Sequence, residues 1–212
     1  MGSAPPTTPS GAPAALHAPW RLTYLRMLSS GPSADSAREG DEVPESVCFL
    51  RRYWLTPQHD AANHVIVRTG SEHRTPGAGG LIMLNAYPYS NGHLLVCLGE
   101  SRQRLLEYAP AHRAELWSLV DLAVELCERA LGCQGVNVGL NQGLAAGAGV
   151  PEHVHVHVVP RWQGDVNFVT TVANIRVIPS ALDEMAKLYR EAWAAVRPRV
   201  DQHTLENGSE KP

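Results

Sequence analysis

The stretch His153-Val-His-Val-His-Val-Val159 alternates imidazole and branched aliphatic side chains without interruption. Successive side chains of a β-strand point to opposite faces, so this alternation predicts a strand with three histidines on one face and valines on the other. The valine face is expected to be buried against a helix. The histidine face needs a separate explanation, because imidazoles are an unusual choice for a merely solvated strand face.

Three interpretations of the histidine face remain open on the residues alone. The imidazoles could be solvated polar side chains without a chemical role. A His-x-His pair could chelate zinc or copper, with His93 or His64 as a further ligand. One imidazole could act as a nucleophile toward phosphorus while its neighbours position it, since imidazole titrates near neutrality and a covalent phospho-imidazole divides one difficult displacement into two steps.

The loop before this strand favours phosphorus chemistry over metal storage. It runs Asn141-Gln-Gly-Leu-Ala-Ala-Gly-Ala-Gly149 and contains three glycines, which allow a backbone to approach a ligand closely. Successive amide groups of such a loop can donate to phosphate oxygens. A flexible hairpin would have the same composition, so the loop supports the nucleophile interpretation only together with the histidine strand.

The remaining periodicity predicts an α+β domain with an antiparallel sheet of about five strands and two main helices. Runs of strands are interrupted by one long helix, and the loops are too short for repeated βαβ units. The predicted strands cover 64–68, 81–85, 93–98, 135–141 and 152–159, with a short additional strand at 170–178. The predicted helices cover 110–131 and 179–196.

Length and charge limit the classes of function. The 212 residues suffice for one well-packed domain, expected over 20–196, and the formal net charge of -3 offers no basic surface for long nucleic acid. No apolar run is long enough for a membrane helix, and the four cysteines form no C-x-x-C pair. We therefore expect a cytoplasmic protein with reduced thiols. Disordered tails are expected at 1–19 and 197–212, and a mobile loop at 29–45.

Taken together, the motifs resemble the histidine triad (HIT) superfamily, whose pattern is His-φ-His-φ-His-φ-φ with φ apolar. The stretch Leu84-Asn-Ala-Tyr-Pro-Tyr-Ser-Asn-Gly-His-Leu-Leu-Val96 resembles the first nucleotide-binding hairpin of that superfamily. Pro160-Arg-Trp162 with Gly164-Asp-Val-Asn-Phe168 resembles the bacterial diadenosine tetraphosphate (Ap4A) phosphorylases. The Pro-Arg pair is shared with the fragile-histidine-triad hydrolases. The resemblance extends from Trp20 to Trp193.

The resemblance implies a role for each matching residue. His155 would be the nucleophile that takes the α-phosphate and becomes nucleotidylated, with His153 and His157 holding the phosphate and orienting the ring. His93 would support the triad from behind. The implied nucleotide-binding and phosphate-binding residues are Leu84 at the base, Asn85 at the ribose, Asn141 at the phosphate or leaving group, Gly147, Ala148 and Gly149 along the polyphosphate, and Trp162.

Two departures from the resembling sequences modify these expectations. Many relatives bind structural zinc through a Cys-x-x-Cys before the first strand, whereas the matching stretch here is Val47-Cys-Phe-Leu50, so no structural zinc is expected. Phosphorylase relatives tend to have Gly-Gly-Ser where this chain has Gly147-Ala-Gly149, and the missing hydroxyl affects how a second phosphate would be held.

The resulting hypothesis is a homodimeric enzyme that cleaves a dinucleoside polyphosphate or another adenine nucleotide, with inorganic phosphate as acceptor. A hydrolase that releases AMP is the alternative, and a nucleotide sensor without catalysis is a further one. No tightly bound cofactor is expected, although Mg²⁺ would accompany the polyphosphate substrate.

Overall fold

The computed structural model describes residues 43–44, 46–70, 79–165 and 180–209, and side chains as far as residue 197. Five strands form one antiparallel sheet in the order β1-β2-β3-β5-β4. The strands are β1 (Val65–Thr69), β2 (Gly80–Leu84), β3 (Leu94–Leu98), β4 (Gly135–Leu140) and β5 (His155–Arg161). The predicted α+β class and the five main strands are confirmed. The predicted strand at 170–178, the tail at 1–19 and most of the loop at 29–45 lie outside the described residues.

Two long helices cover one face of the sheet. Helix α2 (Pro110–Leu131) begins at a proline and ends at Gly132, whose φ of 56° is the left-handed conformation that glycine adopts readily at a helix C-terminus. Helix α3 (Leu182–Ser209) packs beside it. Both contribute to the larger core on what we call the helix face, together with sheet residues including Ile82, Leu84, Leu94, Val96, Val154, Val156 and Val158.

The opposite face, here called the histidine face, carries the odd-numbered residues of β5. His157 lies opposite Leu95 of β3 and Gly139 of β4, and His155 lies opposite Cys97. Helix α1 (Phe49–Leu55) packs on part of this face, where Leu50 and Trp54 are buried one helical turn apart. Arg68 of β1 holds the end of α1 by donating to the carbonyl oxygens of Tyr53 and Trp54 at 2.7 and 2.9 Å.

The sequence prediction of two helices is therefore incomplete, because no helix was predicted in the segment that forms α1. A seven-residue helix is too short to produce a clear periodic signal, and its stability comes from packing rather than from intrinsic propensity. The predicted end of the last helix is also wrong. Helix α3 continues to Ser209, through most of the expected disordered tail, although the extension contains Pro198, a residue that is unfavourable inside a helix and that made the sequence indicate an earlier end.

The fifth strand starts later than predicted. Residues 152–154 precede the ladder: the amide of His153 donates to the carbonyl oxygen of Val150, and that of Val154 to the carbonyl oxygen of Arg102. The strand instead continues through Pro160 and Arg161, which pair with β4. The alternation of faces nevertheless includes residues 153 and 154, since Val154 is buried on the helix face. Within the described residues, no helix is long and apolar enough to cross a membrane.

Candidate active site

His155 is the first residue of β5 and pairs with Cys97 of β3, while the next residue, Val156, pairs with both β3 and β4. Nδ1 of His155 lies 2.9 Å from the carbonyl oxygen of His153. A carbonyl oxygen only accepts hydrogen bonds, so Nδ1 carries the proton and Nε2 keeps its lone pair. The residue is 4% exposed, and burial lowers the pKa of its imidazole below the ordinary value. The arrangement favours a neutral ring with a nucleophilic Nε2.

His153 is fully buried, and both of its ring nitrogens bind within the protein. Nε2 donates to the carbonyl oxygen of Leu98 at 2.9 Å, and Nδ1 lies 3.3 Å from the Sγ of Cys48. Burial lowers the pKa of His153 to about 4 and raises the pKa of the Cys48 thiol, so the proton between them stays on sulfur. These contacts support an orienting role for His153, through the carbonyl group that holds His155.

His157 is connected to the first hairpin through His93. The backbone amide of Tyr89 donates to Nδ1 of His93 at 3.0 Å, which leaves the proton of His93 on Nε2. That Nε2 lies 3.0 Å from Nδ1 of His157. His157 therefore accepts at Nδ1 and carries its own proton on Nε2. Its ring lies edge-on to that of His155 with centroids 5.0 Å apart. The structure thus brings together the four histidines singled out in the sequence.

Asn85 and Leu84 separate onto opposite faces of the sheet. The side-chain amide nitrogen of Asn85 lies 3.3 Å from Nδ1 of His93, and its oxygen accepts the amide of Tyr87 at 2.9 Å. Leu84 is 6% exposed in the core of the helix face. The expectation that Leu84 walls the base is therefore corrected, because the alternation of β2 turns its side chain away from the histidines. Met83 lies on the histidine face instead, opposite Leu95.

The glycine-rich loop contains backbone hydrogen bonds between its own residues. The amide of Gly147 donates to the carbonyl oxygen of Leu144 at 2.9 Å, and that of Ala148 to Gly143 at 3.2 Å. Two of the three amides expected to meet phosphate are thus already engaged, and the predicted contact of Gly149 stays a prediction. Asn141 follows the last residue of β4. Continuing the register of Gly139 with His157 by two residues places it opposite His155.

Arg161 and Trp162 lie at the other end of β5. Arg161 binds Asp165 through two hydrogen bonds of 2.5 and 2.8 Å, and it also donates to the side-chain oxygen of Asn137 at 2.9 Å. This ion pair lowers the pKa of Asp165 and offsets the guanidinium charge locally. The amide of the half-buried Trp162 donates to the same carboxylate. Its predicted contact with nucleotide stays a prediction.

The donor set for a structural metal is incomplete in the part of the chain that the structure describes. No group of three or more His, Cys, Asp or Glu side chains there is arranged to hold an ion. Cys48 and His153 meet as a pair, whereas a structural zinc site uses four ligands in tetrahedral geometry. The residues present therefore do not fit the zinc site of the resembling sequences.

Comparisons with known proteins agree with this arrangement. The model of the HIT domain matches residues 79–164. A protein named AP-4-A phosphorylase, from two strains of Mycobacterium tuberculosis, is 40% identical over 112 residues, which are 53% of this chain and 57% of that protein. A bis(5'-nucleosyl)-tetraphosphatase (asymmetrical) of Schizosaccharomyces pombe is 33% identical over 82 residues, 39% of this chain and 44% of that enzyme. The matches thus span about half the length of these relatives.

The solved structure of a hypothetical histidine triad nucleotide-binding protein from Sulfolobus tokodaii has the same fold. It superimposes with a TM-score of 0.54 at 23% identity, covering 69% of this chain and 93% of that one. The segment that matches the HIT domain model, residues 79–164, contains the three histidines of the strand, His153, His155 and His157.

Proposed function

We propose that the chain is an enzyme that transfers a nucleotidyl group from a dinucleoside polyphosphate through a covalent intermediate on His155. The observation that carries this proposal is the bond from Nδ1 of His155 to the carbonyl oxygen of His153. It fixes the tautomer in which Nε2 is unprotonated, and burial, which lowers the pKa of the ring, favours its neutral form. An uncharged nitrogen at a fixed position can attack phosphorus without a separate general base.

The chemistry then proceeds in two displacements. Nε2 of His155 forms a bond to the α-phosphorus, while the bond from that phosphorus to the bridging oxygen breaks and releases the polyphosphate leaving group. His157 accepts from His93 at Nδ1 and carries its proton on Nε2, from which it would donate to the phosphoryl or leaving-group oxygens. In the second displacement an acceptor attacks phosphorus and restores the free imidazole.

Inorganic phosphate is the acceptor that we propose, so that Ap4A yields ATP in the first step and ADP in the second. The 40% identical relative is named a phosphorylase, and the segment Pro160-Arg-Trp162 of this chain resembles the sequences of Ap4A phosphorylases. The hydrolase is the second candidate, since another relative is named a tetraphosphatase. Water as acceptor would give AMP in place of ADP.

The decisive experiment is incubation of the purified chain with Ap4A, with and without inorganic phosphate, followed by separation of the nucleotides. ADP that appears only with phosphate is the expected result. AMP formed without phosphate would identify a hydrolase. If no adenylylated substrate turns over, while nucleotide still binds, the enzyme proposal is wrong and the sensor alternative remains.

A further inference from the structure

Tyr89 lies against two of the four site histidines, His93 and His157. Its ring centroid is 4.8 Å from that of His93, with an interplanar angle of 35°, and 5.5 Å from that of His157, with an angle of 27°. One aromatic face therefore covers both members of the hydrogen-bonded imidazole pair. The residue is half-buried, so the ring also stands between this pair and solvent.

The backbone of the same residue acts on the same pair. The amide of Tyr89 donates to Nδ1 of His93, and this bond decides that the proton of His93 is on the nitrogen facing His157. The side chain and the backbone of one residue thus define the orientation and the tautomer of both imidazoles.

A hydrogen bond between two imidazoles fixes the distance between two nitrogens but only weakly fixes the tilt of each ring. The rings of His93 and His157 are inclined by 47° with centroids 5.2 Å apart, so they do not stack on each other. Tyr89 is nearly parallel to His157 and resists its rotation. Offset-stacked aromatic pairs have an attraction beyond their buried area, which a branched aliphatic side chain does not replace.

We infer that Tyr89 is a positioning residue, whose ring holds His157 in the orientation that presents its Nε2 proton to the phosphoryl group. The effect of Tyr89 on kcat rests on the proposed nucleotidyl transfer. The structural consequence, the tautomer of His157 in the free protein, is independent of turnover. Tyr89 acts on the site through His157 and His93.

The kinetic test compares Tyr89→Leu with Tyr89→Phe and Trp117→Leu, using Ap4A and phosphate. Tyr89→Leu should lower kcat about tenfold, the size of effect expected when one aromatic contact is lost, while KM changes less than about twofold. Tyr89→Phe keeps the ring and should retain at least about half of kcat. Trp117→Leu, at an aromatic side chain of helix α2 that is 44% exposed, is the matched control and should behave like the unaltered protein.

The second test is nitrogen NMR of the histidine rings, recorded at about pH 8, above the usual titration range of imidazole. The unaltered protein and Tyr89→Phe should show His157 protonated at Nε2 alone. Tyr89→Leu keeps the backbone amide that sets the tautomer of His93, but the His157 ring should then turn out of its hydrogen bond with His93, so that the His157 signals average between the two tautomers. Tyr89→Met, a flexible apolar replacement of similar reach, serves if Tyr89→Leu does not fold.

The inference is overturned if the Tyr89 variants that lack a ring keep both the kcat and the single tautomer of the unaltered protein. It is also overturned if the loss lies in KM alone, which would indicate substrate binding. A protein that turns over no dinucleoside polyphosphate would disprove the proposed function. In that case the NMR comparison would still decide whether Tyr89 positions His157.

Discussion

The two faces of the sheet are built from the same strands but by different physical means. On the helix face, Val154, Val156 and Val158 pack with the apolar sides of α2 and α3, and burial of apolar area needs no particular direction. On the histidine face, His153 and His155 are also buried, but their rings form directed hydrogen bonds to the carbonyl oxygens of Leu98 and His153, respectively. Alternate residues of one segment therefore belong to the hydrophobic core and to the candidate active site.

The two faces should therefore respond to opposite kinds of substitution. The helix face tolerates replacement by other apolar shapes and fails when volume is removed. The histidine face depends on which atom carries a proton, so replacements that hardly change volume should abolish its function.

The largest effect is expected from His155→Asn, which removes the nucleophilic Nε2 while keeping a polar side chain of smaller size. Turnover of Ap4A should fall on the order of 1000-fold or more, the usual result when a covalent nucleophile is lost. Binding of Ap4A, measured by calorimetry, should remain within a few-fold of the unaltered protein. A fully active variant would refute the intermediate on His155.

The next effect is a loss of stability in acid, caused by His153. Its pKa is about 4 in the folded protein against 6.5 ordinarily, so the unfolded chain takes up the proton first as the pH falls. The contribution of His153 to stability is complete above pH 6.5 and is lost as the pH falls toward 4, up to a limit of about 3 kcal/mol. Urea unfolding at a series of pH values measures this slope.

The matching control for the acid effect uses two variants. His153→Asn should flatten the pH dependence between 6.5 and 4 but not abolish it, because the pKa of His155 is shifted in the same direction. Val138→Ala, at an exposed side chain that carries no ionisable group, should leave the slope unchanged. Equal slopes in His153→Asn and the unaltered protein would mean that His153 is not the group responsible.

The smallest effect is expected on the helix face, from Val156→Ala. Val156 is fully buried, so removing two methyl groups should lower the free energy of unfolding by about 2 kcal/mol through lost burial and an unfilled cavity. The matched control is Val138→Ala on the outermost strand β4, where the side chain is 44% exposed and the change should stay within about 0.5 kcal/mol. Similar losses in both variants would contradict the assignment of the core.

Much of this site was predictable because its signals are local. The alternation over 153–159 predicted the two faces of β5, and the resemblance placed His93 and Asn85 beside the triad. Even the error at Leu84 could have been avoided, because the same alternation places Leu84 and Asn85 on opposite faces of one strand. Helix α1 could not be predicted in the same way, because seven residues carry too little periodicity to be distinguished from a loop.

The sequence alone determined the α+β class, the strand that carries the chemistry and the face on which its imidazoles stand, because side-chain alternation depends only on the local backbone. Tertiary structure alone decided the partners of those imidazoles. Cys48 reaches His153 across 105 positions of the chain, and His93 reaches His157 across 64. Such contacts are set by strand register and by the packing of α1, and the long-range contacts of His153 with Leu98 and of His157 with His93 decide which nitrogen of these two rings carries the proton.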